Sequence, residues 1–304
     1  MTRIKKLMCA ASILTAVWMV GCEAETTVGS DGAGDADGDT DTDTDVDTDS
    51  DADSDGDGDA DGDADGDADT DEECYEMIDI VFVLDVSTSM DEFLSILEEE
   101  IGAVWSAAQD LSVDEPPHFG LVVFVDDVTV VASETYTSVE ALQSDFNFWY
   151  THTSSNQQTQ STAENDDFPE NTLDALIEAA LKYDWRDPEL ALRVIIHVTD
   201  DTFREYPATF TSGLPAIHTY EETVTMLQDR QIRVASFAAH YGGPFFSQDV
   251  EPGFFTDYNS MSPIPAATSG SVFDIEQVQD STISLTEAIN EFVLEELCEE
   301  YIPE

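Results

Sequence analysis

Ile78-Asp-Ile-Val-Phe-Val-Leu84, followed at once by Asp85-Val-Ser-Thr-Ser-Met90, decides how this chain is read. The first seven residues are apolar except for Asp79, as a central parallel strand covered on both faces requires. Where that strand leaves the core, Asp85, Ser87 and Ser89 bring one carboxylate and two small hydroxyls onto one short loop. Such a donor set suits a hard divalent cation. Ser and Asp also cap helices, and Ser89 stands where it could cap a helix starting at Met90. The triplet alone leaves both readings open.

The flanking sequence alternates strand and helix. Phe93, Ile96, Leu97, Ile101 and Val104 give helical spacing over 93–108. Strands are predicted over 119–125 and 128–132, with Asp126-Asp127 as the turn, then a helix over 138–146 and a polar loop over 151–167. Leu173, Leu176, Ile177, Ala180 and Leu181 mark the next helix, and an apolar strand over 192–198 closes in Thr199-Asp200-Asp201. A helix over 220–230, strands over 232–238 and 271–275, and an amphipathic helix over 283–298 complete the pattern. This predicts an α/β fold, a doubly wound, mostly parallel sheet with helices on both faces. About 230 residues suffice for one buried core. Right-handed crossovers collect the loops that follow the strands at one edge. Three loops bring oxygen ligands there: Asp85, Ser87 and Ser89; Glu170 and Thr172; and Asp200 with Asp201.

At these residues the chain resembles the von Willebrand factor type A domain, whose metal-ion-dependent adhesion site combines DxSxS, a Thr or Glu in a second loop and an Asp ending a later strand. The resemblance is closer to the I-like domain of integrin β subunits. Asp167-Phe-Pro-Glu-Asn-Thr-Leu-Asp-Ala-Leu176 is similar to their PEGGFDA segment, Trp185-Arg186 with Val198-Thr199-Asp200 to their WR…TD, and residues 119–126 to their FGxFVD stretch. It spans 75–237 well and is thinner beyond. The resemblance implies that Ser87 and Ser89 ligate an ion directly, and that Asp85 acts through water or supports the serines. Glu170 is the first choice for the second loop's ligand and Thr172 the second. Asp200 acts through water or in support, and Asp201 is a loop residue or helix cap. It also implies Mg²⁺ as the ion, with Mn²⁺ or Ca²⁺ as alternatives, and a protein ligand whose Asp or Glu fills an open coordination position. An adjacent second ion would need acids after DxSxS. Phe93 stands at a position usually acidic, so Asp91 and Glu92 read instead as first-turn residues favoured by the helix dipole.

Outside this domain the chain carries different signals. Residues 1–21 have Arg3, Lys5 and Lys6 before an apolar stretch too short to span a bilayer stably, the layout of a secretory signal. Met19-Val20-Gly21-Cys22 resembles a bacterial lipobox, which makes Cys22 the expected lipid anchor and the cell envelope, at the outer membrane, the expected location. Residues 22–73 read as a disordered tether. From Asp35 to Asp71 every second residue is Asp, nineteen in all with no basic residue, so charge repels and no core can form. The repeat superficially resembles calcium-binding loops, but no Glu stands at the twelfth position of any window. Residues 74–304 are then the type A domain.

The formal charge of −59, with 44 acidic and 6 basic residues in 74–304 alone, makes nucleic acid an unsuitable partner. Cys74 and Cys298 bracket the domain and, in an oxidising compartment, are expected to form a disulfide. The expected function is metal-dependent protein binding or adhesion, with the membrane reached through the lipid and no small-molecule substrate. A rival reading makes the Asp repeat the functional part of a structural or cation-binding envelope protein. A hydrolase is the weaker rival. There is no G-x-S-x-G elbow or H-E-x-x-H, and His197 lies inside a strand.

Overall fold

The computed structural model describes residues 74–112, 115–166, 168–240 and 249–303. The expected lipid anchor Cys22, the signal over 1–21, the Asp-rich segment over 22–73 and Asp167 lie outside the described residues. Six strands form one sheet: β1 (Met77–Asp85), β2 (His118–Phe124), β3 (Val128–Ala132), β4 (Ala191–Thr199), β5 (Arg233–Ala238) and β6 (Ser271–Asp274), in the order β3-β2-β1-β4-β5-β6. All neighbours are parallel except β2 and β3, which the Asp126-Asp127 turn joins as an antiparallel pair. The doubly wound α/β class expected from the sequence is the one observed.

Every residue of β1 from Ile78 onward is buried, so successive side chains on both faces are covered. One set of helices is α1 (Asp91–Leu111), α2 (Val139–Thr153) and α7 (Leu285–Glu296), with α2 and α7 both packed on α1. The other set is α3 (Thr172–Lys182), which packs on β1, β2 and β3, and α4 (Tyr220–Asp229), which packs on α3. Two short helices, α5 (Ile264–Ala267) and α6 (Ile275–Gln279), are too brief to leave a periodic pattern. α2 runs further than the sequence suggested. Trp149 and Thr153 continue the buried face of Leu142 and Phe146 at helical spacing, so polar Thr151 and His152 belong to the helix and not to the loop.

Asp79, the one charged residue inside β1, is buried and held by Arg186. Arg186 Nε donates to Oδ1 at 2.7 Å and its backbone N–H to Oδ2 at 2.8 Å. At Gly120 in β2 a Cβ would sit 2.5 Å from the ring of Tyr183, which caps the end of α3, so only glycine lets that ring lie on the strand.

Chain order sends β2 and β3 to one side of β1 and β4, β5 and β6 to the other. The connections therefore diverge between the carboxyl ends of β1 and β4, where open α/β sheets bind ligands. At the other end of the sheet Cys74 and Cys298 form the expected disulfide, beside a hydrogen bond from Tyr75 N–H to the Leu297 carbonyl at 2.9 Å. The bridge closes a loop of 224 residues. In the chain-entropy view such a closure stabilises the domain by up to about 5 kcal/mol. Urea unfolding of the Cys74→Ser/Cys298→Ser variant is expected to show a large fall in the midpoint with little change in the native circular dichroism; an unchanged midpoint would show that the bridge constrains nothing.

Candidate metal centre

The carboxylate of Asp85 ends β1 already occupied on both oxygens. Its Oδ1 accepts from the Ser87 N–H at 2.8 Å and its Oδ2 from the hydroxyl of Thr199, the last residue of β4, at 2.7 Å. Asp85 is fully buried, and these bonds fix it across the seam where the two strands part. The chain then turns through a single 3-10 turn, Thr88–Met90, before α1 begins. Neither Ser87, before that turn, nor Met90, before α1, makes a capping side-chain hydrogen bond. The capping role left open for Ser89 is therefore not what its hydroxyl does. Ser87 Oγ and Ser89 Oγ lie 3.2 Å apart, and Ser89 Oγ donates to Asp200 Oδ1 at 2.9 Å. Thr88, between them, turns away and donates to the Thr153 carbonyl and to Asn156 Oδ1, tying the loop to the end of α2.

The second loop is stitched in by its backbone. Glu170 N–H donates to the Thr202 carbonyl and Asn171 N–H to the Val125 carbonyl, both at 2.8 Å, so the segment hangs between the ends of β2 and β4. Glu170 is fully buried, and its Oε1 accepts from Asn165 Nδ2 at 2.7 Å. Its Oε2 is buried with no hydrogen-bond partner among the described residues, and the same holds for Thr172 Oγ1 at the first turn of α3. Buried polar atoms normally find partners, and an unpaired one costs free energy. This loop thus leaves two buried oxygens without a protein partner among the described residues.

The third loop supplies more than expected. Asp85, Asp200 and Asp201 each place a carboxylate oxygen so that all lie within 4.8 Å of one another. Asp201, read from the sequence as a loop residue or helix cap, is a loop residue, and it is buried in this cluster. No helix starts near it, and α4 begins only at Tyr220. Its N–H donates to Thr199 Oγ1 at 3.2 Å, which turns its side chain inward beside Asp85. Thr199, Asn165 and Asp126 also belong to the surroundings. Asp126 is a buried carboxylate at the end of β2 whose charge acts on Glu170 and which accepts from Gln158 Nε2 at 3.1 Å. Asp201 and Asp126 had a legible signal, an acid where a strand meets the binding edge. Asn165 had none. Asp91 and Glu92 are exposed in the first turn of α1.

Crowding shows in the acidities. Burial, then the charge of Asp200, pushes Asp85 up from 3.8 to about 7, against the Ser87 N–H and Thr199 hydroxyl bonds that pull it down. Burial also raises Asp200, opposed by the Ser89 hydroxyl. Glu170 is held well above the ordinary carboxylate range by burial and then by Asp85 and Asp201. The histidines stand apart. His197 Nδ1 pairs with Ser236 Oγ at 2.8 Å, its ring is flanked by Phe124 and Phe254, and burial lowers its pKa to about 3. His240 lies 3.6 Å from Glu251.

A cleft of about 290 Å³ opens to solvent over the centre, lined by Ser87, Ser89 and Asp201 among others. A larger cavity, about 960 Å³, surrounds the disulfide at the far end of the sheet. Its glutamates are exposed side chains without convergent geometry, so size does not identify the site. Three loops of oxygen donors and two orphaned atoms do, and the donor set fits a hard divalent cation.

No family model matches the sequence, and no curated protein matches it. Among solved structures, proximal thread matrix protein 1 from the mussel byssus is similar over 76% of this chain and 48% of its own, at 14% identity and a TM-score of 0.44. A second crystal form of that protein gives 13% identity and 0.43. An aerotolerance-related membrane protein from Bacteroides fragilis, with multiple mutations to serines, is similar over 72% of this chain and 99% of its own, at 15% identity and 0.42. This chain spans about half the length of the mussel protein. Likeness at that level says nothing of ligands, which have to be read from the residues themselves.

The raised pKa values set a sign. Each of these carboxylic acids holds its proton more tightly when folded than when unfolded, so folding is favoured while they are protonated. That contribution is lost as pH rises from the ordinary carboxylate range through about 7. For Asp85 alone the shift corresponds to on the order of 4 kcal/mol. In chelator, unfolding free energy is expected to fall between pH 4 and pH 7 and to fall less in Asp85→Asn. Saturating Mg²⁺ should restore more stability at pH 8 than at pH 5. Equal slopes for the two proteins would contradict this.

Proposed function

We propose that this chain is a lipid-anchored protein of the bacterial cell envelope whose domain over 74–304 holds a divalent cation and captures a protein ligand through one of the ligand's carboxylates. The observation that carries the reading is the pair of buried, unpartnered oxygens, Glu170 Oε2 and Thr172 Oγ1, in a centre that already gathers two serine hydroxyls and three aspartates. In this reading Ser87, Ser89 and Glu170 hold the ion, with Thr172 as a further oxygen, while Asp85 and Asp200 support them, directly or through water. The bound cation would neutralise an incoming Asp or Glu and fix its direction.

The residues of this chain do the rest. Thr199 and the Ser87 N–H hold Asp85 in place, and Asn165 keeps Glu170 turned inward. With a carboxylate at Glu170 and Asp201 in the cluster, the centre is more negative than a threonine-based one. It binds a cation tightly and leaves less residual positive charge for the ligand's acid. Mg²⁺ suits a compact centre of oxygen donors, and Mn²⁺ shares its preference. In the same reading Cys22 carries the lipid and residues 22–73 act as the spacer between membrane and domain.

Calorimetry of the full chain with Mg²⁺, Mn²⁺ and Ca²⁺ tests the centre. One tight site is expected, lost in Asp85→Ala and weakened at least tenfold in Glu170→Gln, with Glu170→Gln more stable than the parent in chelator at pH 8 because an acid whose ionisation burial opposes is gone. Unaltered Mg²⁺ binding in both variants would sink the reading.

A further inference from the structure

We propose that the ligand taken at this centre presents a single carboxylate next to a large apolar side chain, and that Phe168 is the residue that selects it. The inference rests on the reading of the preceding section. The cleft over the centre is lined by Ser87, Ser89 and Asp201 and also by Phe168, Asp166 and Asn156. Phe168 is the one large apolar residue of that lining, and it is 55% exposed, two positions before Glu170.

Its exposure is not a by-product of how the loop is held. The segment is anchored by the backbone bonds of Glu170 and Asn171, which need no aromatic ring at 168. An aromatic side chain left in water beside a polar centre gains from being covered, and a ligand residue adjoining the metal-bound carboxylate is what reaches it. Size limits the occupant. At about 290 Å³ the cleft lies at the lower bound of small-molecule sites, roughly 300–1,000 Å³, and takes one or two side chains of a protein segment. Charge limits it further. Asp166 lies in the same lining and, among the described residues, no basic one does, so a second acid on the ligand meets repulsion and no partner.

The test uses the full chain with Mg²⁺ and labelled glycine-serine hexapeptides containing one Asp, with Phe, Leu or Ala on either side of it, read by fluorescence polarisation. Peptides pairing Asp with Phe or Leu are expected to bind about tenfold more tightly than those pairing it with Ala. Replacing that Ala by a second Asp should weaken binding further. Phe168→Ala should erase the preference, and Phe168→Leu should keep most of it. Mg²⁺ affinity should be unchanged in both variants. Cation-dependent binding of all peptides alike, or a preference that survives in Phe168→Ala, overturns this inference and leaves the metal centre standing. Mg²⁺ binding with no cation-dependent capture of any peptide overturns it together with the capture reading, and absence of Mg²⁺ binding overturns the centre itself.

Discussion

Four carboxylates, those of Asp85, Glu170, Asp200 and Asp201, converge where β1 and β4 part; burial raises the pKa values of Asp85, Glu170 and Asp200, and repulsion from neighbouring acids adds to it at Asp85 and Glu170. Like charges gathered in a low-dielectric place are costly unless neutralised, by protons or by a cation. The surrounding structure holds them in that costly arrangement. Thr199 reaches across from β4 to Asp85, the Ser87 N–H turns the loop, and Asn165 pins one oxygen of Glu170. Each restraint comes from a different element, so the sheet must be assembled before the centre exists.

The sheet makes that possible at low strain. β1 is buried along its length between β2 and β4, and parallel pairing sets the ends of all three strands level at one edge. The opposite edge carries the disulfide and the Asp79–Arg186 pair. Nine residues of strand, about 30 Å at 3.3 Å each, separate that end from the centre. Bridge and binding edge are thus distant, and constraint at one leaves the geometry of the other alone.

Much of this was legible in the residues. β1, β2, β4 and α3 were visible because parallel strands and their covering helices leave long apolar runs at fixed spacing. Asp85, Ser87, Ser89, Glu170, Thr172 and Asp200 were legible as a group because the loops after β1 and β4 and the loop entering α3 carried oxygen donors. Asp201 was legible as a loop residue but not as part of the cluster. Two adjacent acids look alike in sequence, and nothing there shows that both bring a carboxylate oxygen within 4.8 Å of that of Asp85. Asn165 was hidden in a polar loop, where nothing in composition separates a residue pointing at Glu170 from its solvated neighbours. The extra turns of α2 were obscured by polar residues on its outer face. α5 and α6 were too short to show a period.

The central claim is that a cation sits among these oxygens. A crystal structure of the protein grown with Mn²⁺, with anomalous data collected at the manganese edge, tests it most directly. The account predicts one strong anomalous peak at the end of β1, within coordination distance of Ser87 Oγ, Ser89 Oγ and the Glu170 carboxylate, which is absent in Asp85→Ala crystals. No peak there at saturating Mn²⁺, with Glu170 still buried and unpaired, would contradict it.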